Sequence, residues 1–147
     1  MDTAPLGPRH GHCLCGAVRF RATPLSRAMS VCHCSLCRRW AGGVGMAVAC
    51  DPALQLDDDS ALGVYRSSEW GERVFCRACG SSLFWRARDG SALMVSAQAF
   101  DDSSVFELTL EIFVDDQPCN YAFAQSTRRL TAAQTLATFA TRDQQTP

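Results

Sequence analysis

Nine cysteines constrain this chain more than any other feature, because seven of them fall into three tight groups. Cys13 and Cys15 form a CxC pair, Cys32, Cys34 and Cys37 a CxCxxC cluster, and Cys76 and Cys79 a CxxC pair. Cys50 and Cys119 stand alone. Nine in 147 residues is about 6%, below the ~8–10% of a short secreted disulfide scaffold. An odd total also argues against a closed set of disulfides. The opening MDTAPLGPRHGH lacks the apolar core of a secretory signal, so a cytoplasmic, reducing setting is expected. Clustered thiols in a reduced chain read as metal ligands. Zinc leads, because tetrahedral thiolate sites are its commonest structural form.

Spacing divides these ligands four and three. In an extended segment residues i and i+2 face one side, so Cys13 and Cys15 present two thiolates together with Leu14 turned away. Cys76 and Cys79 do the same through a tight turn, and Gly80 is the permissive position after it. Two such pairs make one closed site that ties the N-terminal segment to the middle of the chain. A redox dithiol is the competing reading of the CxxC. That motif usually opens a helix, whereas here it lies between the strand-like runs ERVFC and SLFWR.

Cys32, Cys34 and Cys37 lie within six residues of one another, with no fourth cysteine nearby. Three protein ligands and an open position is the pattern of a catalytic zinc; four ligands is that of a structural one. Two alternatives stay open. His33 is a potential fourth ligand, although the middle residue of an extended CxC points away from its neighbours' metal. A second structural zinc completed by Cys50 or Cys119 is the other. Each lone cysteine is otherwise expected to fill core space as a small hydrophobe.

The rest of the chain reads as one domain, mainly antiparallel β with a C-terminal helix. It is 47% hydrophobic over 147 residues, enough for a single core. Formal charge is −1 and every cation is Arg, which gives no field for holding a phosphate backbone, so no nucleic-acid partner is expected. The longest uncharged run, the 12 residues from Leu130 to Thr141, is too short to cross a bilayer, so no membrane partner is expected either. Residues 1–8 read as a flexible arm, 9–127 as the zinc domain, and 128–147 as a helix with a frayed tail from Arg142. Strand-like runs are Ala17–Arg21, Met46–Cys50, LGVYRS, RVFC, SLFWRAR, ALMVSAQAF and ELTLEIFV. SLCRRW reads as a short helical turn closing the three-cysteine cluster, and Asp57–Asp59 as a solvated turn. Thr131 and Gln134 form a capping box for a helix of about ten residues, whose Leu136 and Phe139 stripe should dock on the sheet or on a partner.

Gly11-His12-Cys13-Leu14-Cys15-Gly16-Ala17-Val18, Cys32-His33-Cys34-Ser35-Leu36-Cys37-Arg38, Tyr65-Arg66-Ser67-Ser68 and Phe75-Cys76-Arg77-Ala78-Cys79-Gly80-Ser81 closely resemble the glutathione-dependent formaldehyde-activating (GFA) family, which includes the centromere protein V group. The resemblance covers roughly residues 9 to 123. It implies an Mss4-like, zinc-pinned antiparallel β fold with two zincs. Cys13, Cys15, Cys76 and Cys79 would hold a structural zinc. Cys32, Cys34 and Cys37 would hold a second, catalytic one, beside which the family binds glutathione and formaldehyde. Two departures from the family pattern stand out. Glu111 precedes Ile112-Phe113-Val114 where many members carry His, and Pro118-Cys119-Asn120-Tyr121 replaces a more usual Ala-Pro-Trp stretch.

The activity this implies is that of a zinc-dependent carbon–sulfur lyase, acting on adducts of glutathione, or a similar thiol, with formaldehyde or another small aldehyde. Arg38 and Arg39 beside Cys37 would offset the charge of a three-thiolate centre and grip a peptide carboxylate. Tyr65, Ser67 and Ser68 are candidates for a polar pocket. The rival reading is a non-catalytic module in which both zincs only hold the fold. A chromatin role needs a basic tail that this sequence lacks.

Overall fold

Short apolar–polar alternating runs bounded by Gly, Ser and Asp have the length and period of strands, and the fold is mainly β. The computed structural model describes residues 6–145. Its elements are β1 (Arg9–His12), β2 (Arg19–Ala22), β3 (Pro24–Cys32), α1 (Ser35–Ala41), β4 (Gly45–Cys50), β5 (Gln55–Leu56) and β6 (Leu62–Tyr65). They continue with β7 (Gly71–Cys76), β8 (Ser82–Ala87), β9 (Leu93–Ser96), β10 (Glu107–Ile112), β11 (Arg128–Leu130) and α2 (Ala132–Gln145). The chain divides into two compact units, Met1–Met29 with Met46–Glu107, and Ser30–Gly45 with Leu108–Pro147.

The first unit holds two antiparallel ladders, β1-β2-β5 and β4-β9-β8-β7-β6. Val48, Val74, Leu83 and Val95 are wholly buried in its core. Phe20 meets Phe84 edge to face at 5.0 Å between ring centres and Phe100 at 5.5 Å, each contact worth about 0.5–1.5 kcal/mol beyond its buried area. Along β7 and β8, Val74 pairs with Phe84 but Phe75 pairs with Ser82, so β8 advances two residues for one of β7. Leu83 is the extra residue of this bulge. That is why Leu83 and Phe84, although adjacent, are both buried. The bulge lies one step before the Cys76–Cys79 turn and re-aims the strand ends that carry it. Gly63 and Gly71 are needed where aromatic rings of neighbouring strands lie flat on the backbone. A Cβ would come within 2.4 Å of Phe75 at the first and 2.7 Å of Trp85 at the second.

The second unit contains the end of β3, then α1, β10, β11 and α2. β10 and β11 pair in parallel, with Leu110 opposite Arg128, Glu111 opposite Arg129 and Ile112 opposite Leu130. Parallel neighbours need a long connection. Here it is residues 113–127, opening with Phe113 in the left-handed region (φ 56°) and a 3-10 turn at Val114–Asp116. The buried side chains among its described residues are Val31, His33, Leu108, Glu111 and Thr135, so its centre is more polar than apolar. The Thr131 hydroxyl accepts the Gln134 N–H at 3.2 Å and the Gln134 side chain accepts the Thr131 N–H at 2.8 Å, which is the capping box the sequence announces.

Several expectations need correction. β3 is nine residues long and was not legible, because its interior stays half-buried on both faces and has no period of two. The short β1, β5 and β11 also carry no periodic signal. The run ALMVSAQAF leaves the sheet at Ala97, where a 3-10 turn begins. The short helical turn expected at SLCRRW is a seven-residue helix, Ser35–Ala41, and one strand pair of the mainly antiparallel fold, β10–β11, is parallel. α2 has 14 residues, Ala132–Gln145, rather than about ten. Leu136 and Phe139 remain 51% and 41% exposed among the described residues. Most of the N-terminal arm, residues 1–5, and the last two residues of the tail lie outside the described residues. Among the described residues, no helix is long and apolar enough to cross a membrane.

Candidate functional site

In the first unit, two turns present four thiols. The CxC is held by a β-turn rather than an extended segment: the Gly16 N–H closes onto the Cys13 carbonyl at 3.1 Å, and Gly16 takes φ 81°. Leu14 points outward, 85% exposed, as the spacing predicts. The second turn closes through Gly80 N–H to the Cys76 carbonyl at 2.8 Å, again with a glycine at φ 81°. All four ligand atoms lie within 4.8 Å of one another, with Cys13 and Cys15 Sγ 3.6 Å apart and Cys15 and Cys76 Sγ 3.8 Å apart. Four sulfurs around a tetrahedral centre with bonds of ~2.3 Å stand about 3.8 Å apart, so this arrangement fits a thiolate-bound metal.

Ser81 ties the two turns together, which sequence reasoning missed. Its hydroxyl accepts the Leu14 N–H at 3.0 Å and lies 3.2 Å from Cys79 Sγ. Hydrogen bonds from the Ser81 side chain and backbone hold the Cys79 thiol down at about 5. Burial pushes Cys13 up, but the Val18 N–H and neighbouring thiols outweigh it and leave that thiol below its ordinary value.

In the second unit, Cys32 ends β3, Cys34 is the N-cap of α1 and Cys37 lies in its first turn. Their three sulfurs lie within 4.8 Å of one another. Gly45 leaves space for Cys37, since a Cβ there would come within 3.2 Å of the Cys37 Cβ. The Cys32 and Cys37 thiols, with the Cys37 and Leu36 N–H groups, outweigh burial and hold the Cys34 thiol at about 2. The same neighbours, Cys34 foremost, push Cys32 far up. Of these two thiols, Cys34 is therefore the one that gives up its proton more readily. A bound dication lets all three ionise.

His33, between two of these thiols, is wholly buried and turned away from them. Its Nε2 meets Glu111 Oε1 at 2.8 Å, its Nδ1 meets the Tyr121 hydroxyl at 2.6 Å, and its ring stacks on Tyr121 at 5.4 Å. With both ring nitrogens engaged, it is not a ligand to the trio. Glu111 also accepts the Thr127 hydroxyl, and Arg129 Nη1 at 2.7 Å. Burial pushes the Glu111 carboxyl up, but hydrogen bonds from Thr127, His33 and Arg129 prevail and hold it below the ordinary carboxylate value. An ionised Glu111 only accepts, so the proton on Nε2 belongs to His33. The two departures from the family pattern thus converge on one imidazole. Each partner is remote in sequence, which is why only their oddity was visible.

The other candidates separate. Arg38 Nε donates to the His33 carbonyl at 2.9 Å, while Arg39 is exposed on α1. Tyr65, Ser67 and Ser68 belong to the first unit, where the Ser68 hydroxyl accepts the Gly71 N–H at the entry to β7. Cys50 is core-filling, and burial pushes its thiol up to about 12. Cys119 is exposed in a turn, against the expectation that it fills core space. Neither joins the trio.

Residues 8–116 match the family described as "Glutathione-dependent formaldehyde-activating enzyme". The chain belongs to the GFA family. Among its relatives, a Schizosaccharomyces pombe protein named an uncharacterized lyase is 31% identical over 122 residues, spanning 82% of this chain and 89% of the relative. A Halomonas elongata protein, provisionally named a glutathione-dependent formaldehyde-activating enzyme, is 36% identical over 83 residues, spanning 50% of this chain and 53% of the relative. A crystal structure of a Rhodobacter sphaeroides protein shares the fold, with a TM-score of 0.57 at 23% identity over 67% of this chain and 96% of the other. The GFA match covers both cysteine clusters, while Tyr121, Thr127 and Arg129 lie beyond it.

Proposed function

We propose that this GFA-family chain is a cytoplasmic carbon–sulfur lyase that makes and breaks adducts of glutathione, or a closely similar thiol, with formaldehyde or another small aldehyde. The observation that carries this reading is the trio of Cys32, Cys34 and Cys37 within 4.8 Å, with His33 fully engaged elsewhere and no fourth protein ligand in the cluster among the described residues. Cys13, Cys15, Cys76 and Cys79 hold a structural zinc, and the trio holds a second. Zinc bound by three thiolates with an open position supplies an acidified thiol and a polarised carbonyl oxygen. In the reaction the thiol S–H bond breaks, a C–S bond forms to the aldehyde carbon, and the proton ends on the former carbonyl oxygen as a hydroxyl. The reverse step returns both reactants.

Arg39 is the freer guanidinium for a glutathione carboxylate, because Arg38 is occupied in bracing the His33 carbonyl. Arg38 keeps the other end of its guanidinium for charge balance. A reducing compartment suits seven thiols that must stay free to bind metal.

Calorimetry with the zinc-loaded chain in two buffers of different ionisation enthalpy tests the thiol. Glutathione should bind at or below millimolar concentration and release a proton, because the coordinating sulfur must be a thiolate. S-methylglutathione should bind far more weakly. Absence of glutathione binding with both zincs in place would overturn the reading and leave a zinc-pinned module.

A further inference from the structure

A three-ligand site gives up the bond that would otherwise finish fixing its geometry, so its sulfurs must be held by the protein. His33 is where that happens. All four of its polar groups are satisfied inside the second unit: its N–H donates to the Ile112 carbonyl at 3.0 Å, its carbonyl accepts Arg38 Nε at 2.9 Å, and its ring nitrogens meet Glu111 and Tyr121. Cys32 and Cys34 flank this fixed residue, and Arg38 links it to the helix that carries Cys37.

Behind the imidazole stands a second layer. Glu111, 2% exposed, is held by Thr127 and Arg129, Arg129 Nη2 donates to Gln117 Oε1 at 2.7 Å, and Gln117 Nε2 donates to the Tyr121 carbonyl at 2.9 Å. The hydrogen bonds therefore close a ring, from His33 through Glu111, Arg129, Gln117 and Tyr121 back to His33.

We propose that Glu111 and Tyr121 are positioning residues for the three-cysteine metal centre, acting through His33 to hold Cys32 and Cys34 at ligand spacing. This rests on the reading that the trio binds metal. Groups hydrogen-bonded directly to a ligand typically change metal affinity by about 10–100-fold. Glu111 and Tyr121 act one residue further back, so the lower end, about 10-fold, is expected, and a network that sets ligand geometry also sets the ligand field.

The test compares zinc-loaded wild-type chain with Glu111→Ala, Glu111→Gln and Tyr121→Phe, by graded chelator competition and by the visible spectrum of protein expressed with cobalt(II) in place of zinc. Wild type should release its two metals in separate steps. Glu111→Ala should release the more weakly held one at about 10-fold lower chelator and alter the cobalt bands, while the tightly held metal is unmoved. Glu111→Gln, whose amide oxygen still accepts from His33 Nε2, should recover most of the loss. Tyr121→Phe keeps the ring stack, removes one hydrogen bond and should give a smaller loss; it decides the matter if Glu111→Ala does not fold. Unchanged second-metal release and unchanged cobalt bands in the folded variants would overturn the positioning role alone. A wild-type chain that takes up only one metal would overturn it together with the reading of the trio.

Discussion

The Ser81 hydroxyl accepts the Leu14 N–H at 3.0 Å across 67 residues of sequence. It also lies 3.2 Å from Cys79 Sγ, so one side chain joins the two cysteine turns. Ser81→Ala leaves the Leu14 N–H and the Cys79 sulfur each without that partner. Water can take up the exposed Leu14 N–H, so a loss of about 0.5–1.5 kcal/mol is expected, a fall of a few degrees in Tm by thermal unfolding. Cys79→Ala removes a ligand instead. A structural zinc contributes on the order of 10–16 kcal/mol against ~5–15 kcal/mol net for a whole domain, so that chain should be unfolded or insoluble. A soluble Cys79→Ala chain with wild-type Tm would refute the structural assignment.

Cysteine accessibility separates free thiols from ligands. Cys119 is exposed, and Cys50 is buried with its thiol near 12. Iodoacetamide at neutral pH, read by mass spectrometry, should label Cys119 alone in the metal-loaded chain. Chelation should then open the seven clustered cysteines, with Cys50 last. Rapid labelling of Cys32, Cys34 or Cys37 before chelation would contradict metal ligation by the trio.

Glu111 gives a signed pH dependence. Its carboxyl is lower in the folded chain than in the unfolded one, so its stabilisation is complete above the unfolded value of about 4.3 and is lost as pH falls through the lower folded value. Glu111→Gln keeps most of the metal affinity of wild type, so the difference between them reports chiefly on this group. In urea unfolding that difference should be constant above about pH 5 and shrink below pH 4. A difference that grows on acidification would reverse the assignment.

The site was legible in the sequence where its chemistry is local. CxC, CxxC and CxCxxC bring sulfurs together by spacing alone, and the structure gathers the same four and three. β10, whose ELTLEI alternates, was legible for the same reason, and β7 by its β-branched and aromatic run. β3 was not, because a strand half-buried on both faces has no period to detect. β11 offers only Arg128-Arg129-Leu130, whose place is decided by parallel pairing with β10 rather than by its own composition. The remaining gap is long range. Glu111 and Tyr121 were visible as departures from the family pattern, but that both close on His33 depends on a crossover of residues 113–127 that no local signal describes.

Metal content and adduct-forming rate measured together on Cys34→Ala test the central claim most directly, that the trio is the reacting centre and the four-cysteine site is not. Wild type should carry two zincs per chain and form the glutathione–formaldehyde adduct faster than an enzyme-free control followed by NMR. Cys34→Ala should keep the fold by circular dichroism, carry one zinc, and form the adduct no faster than the control. A Cys34→Ala chain that retains the wild-type rate, or that loses its fold as fully as Cys79→Ala, would contradict the account.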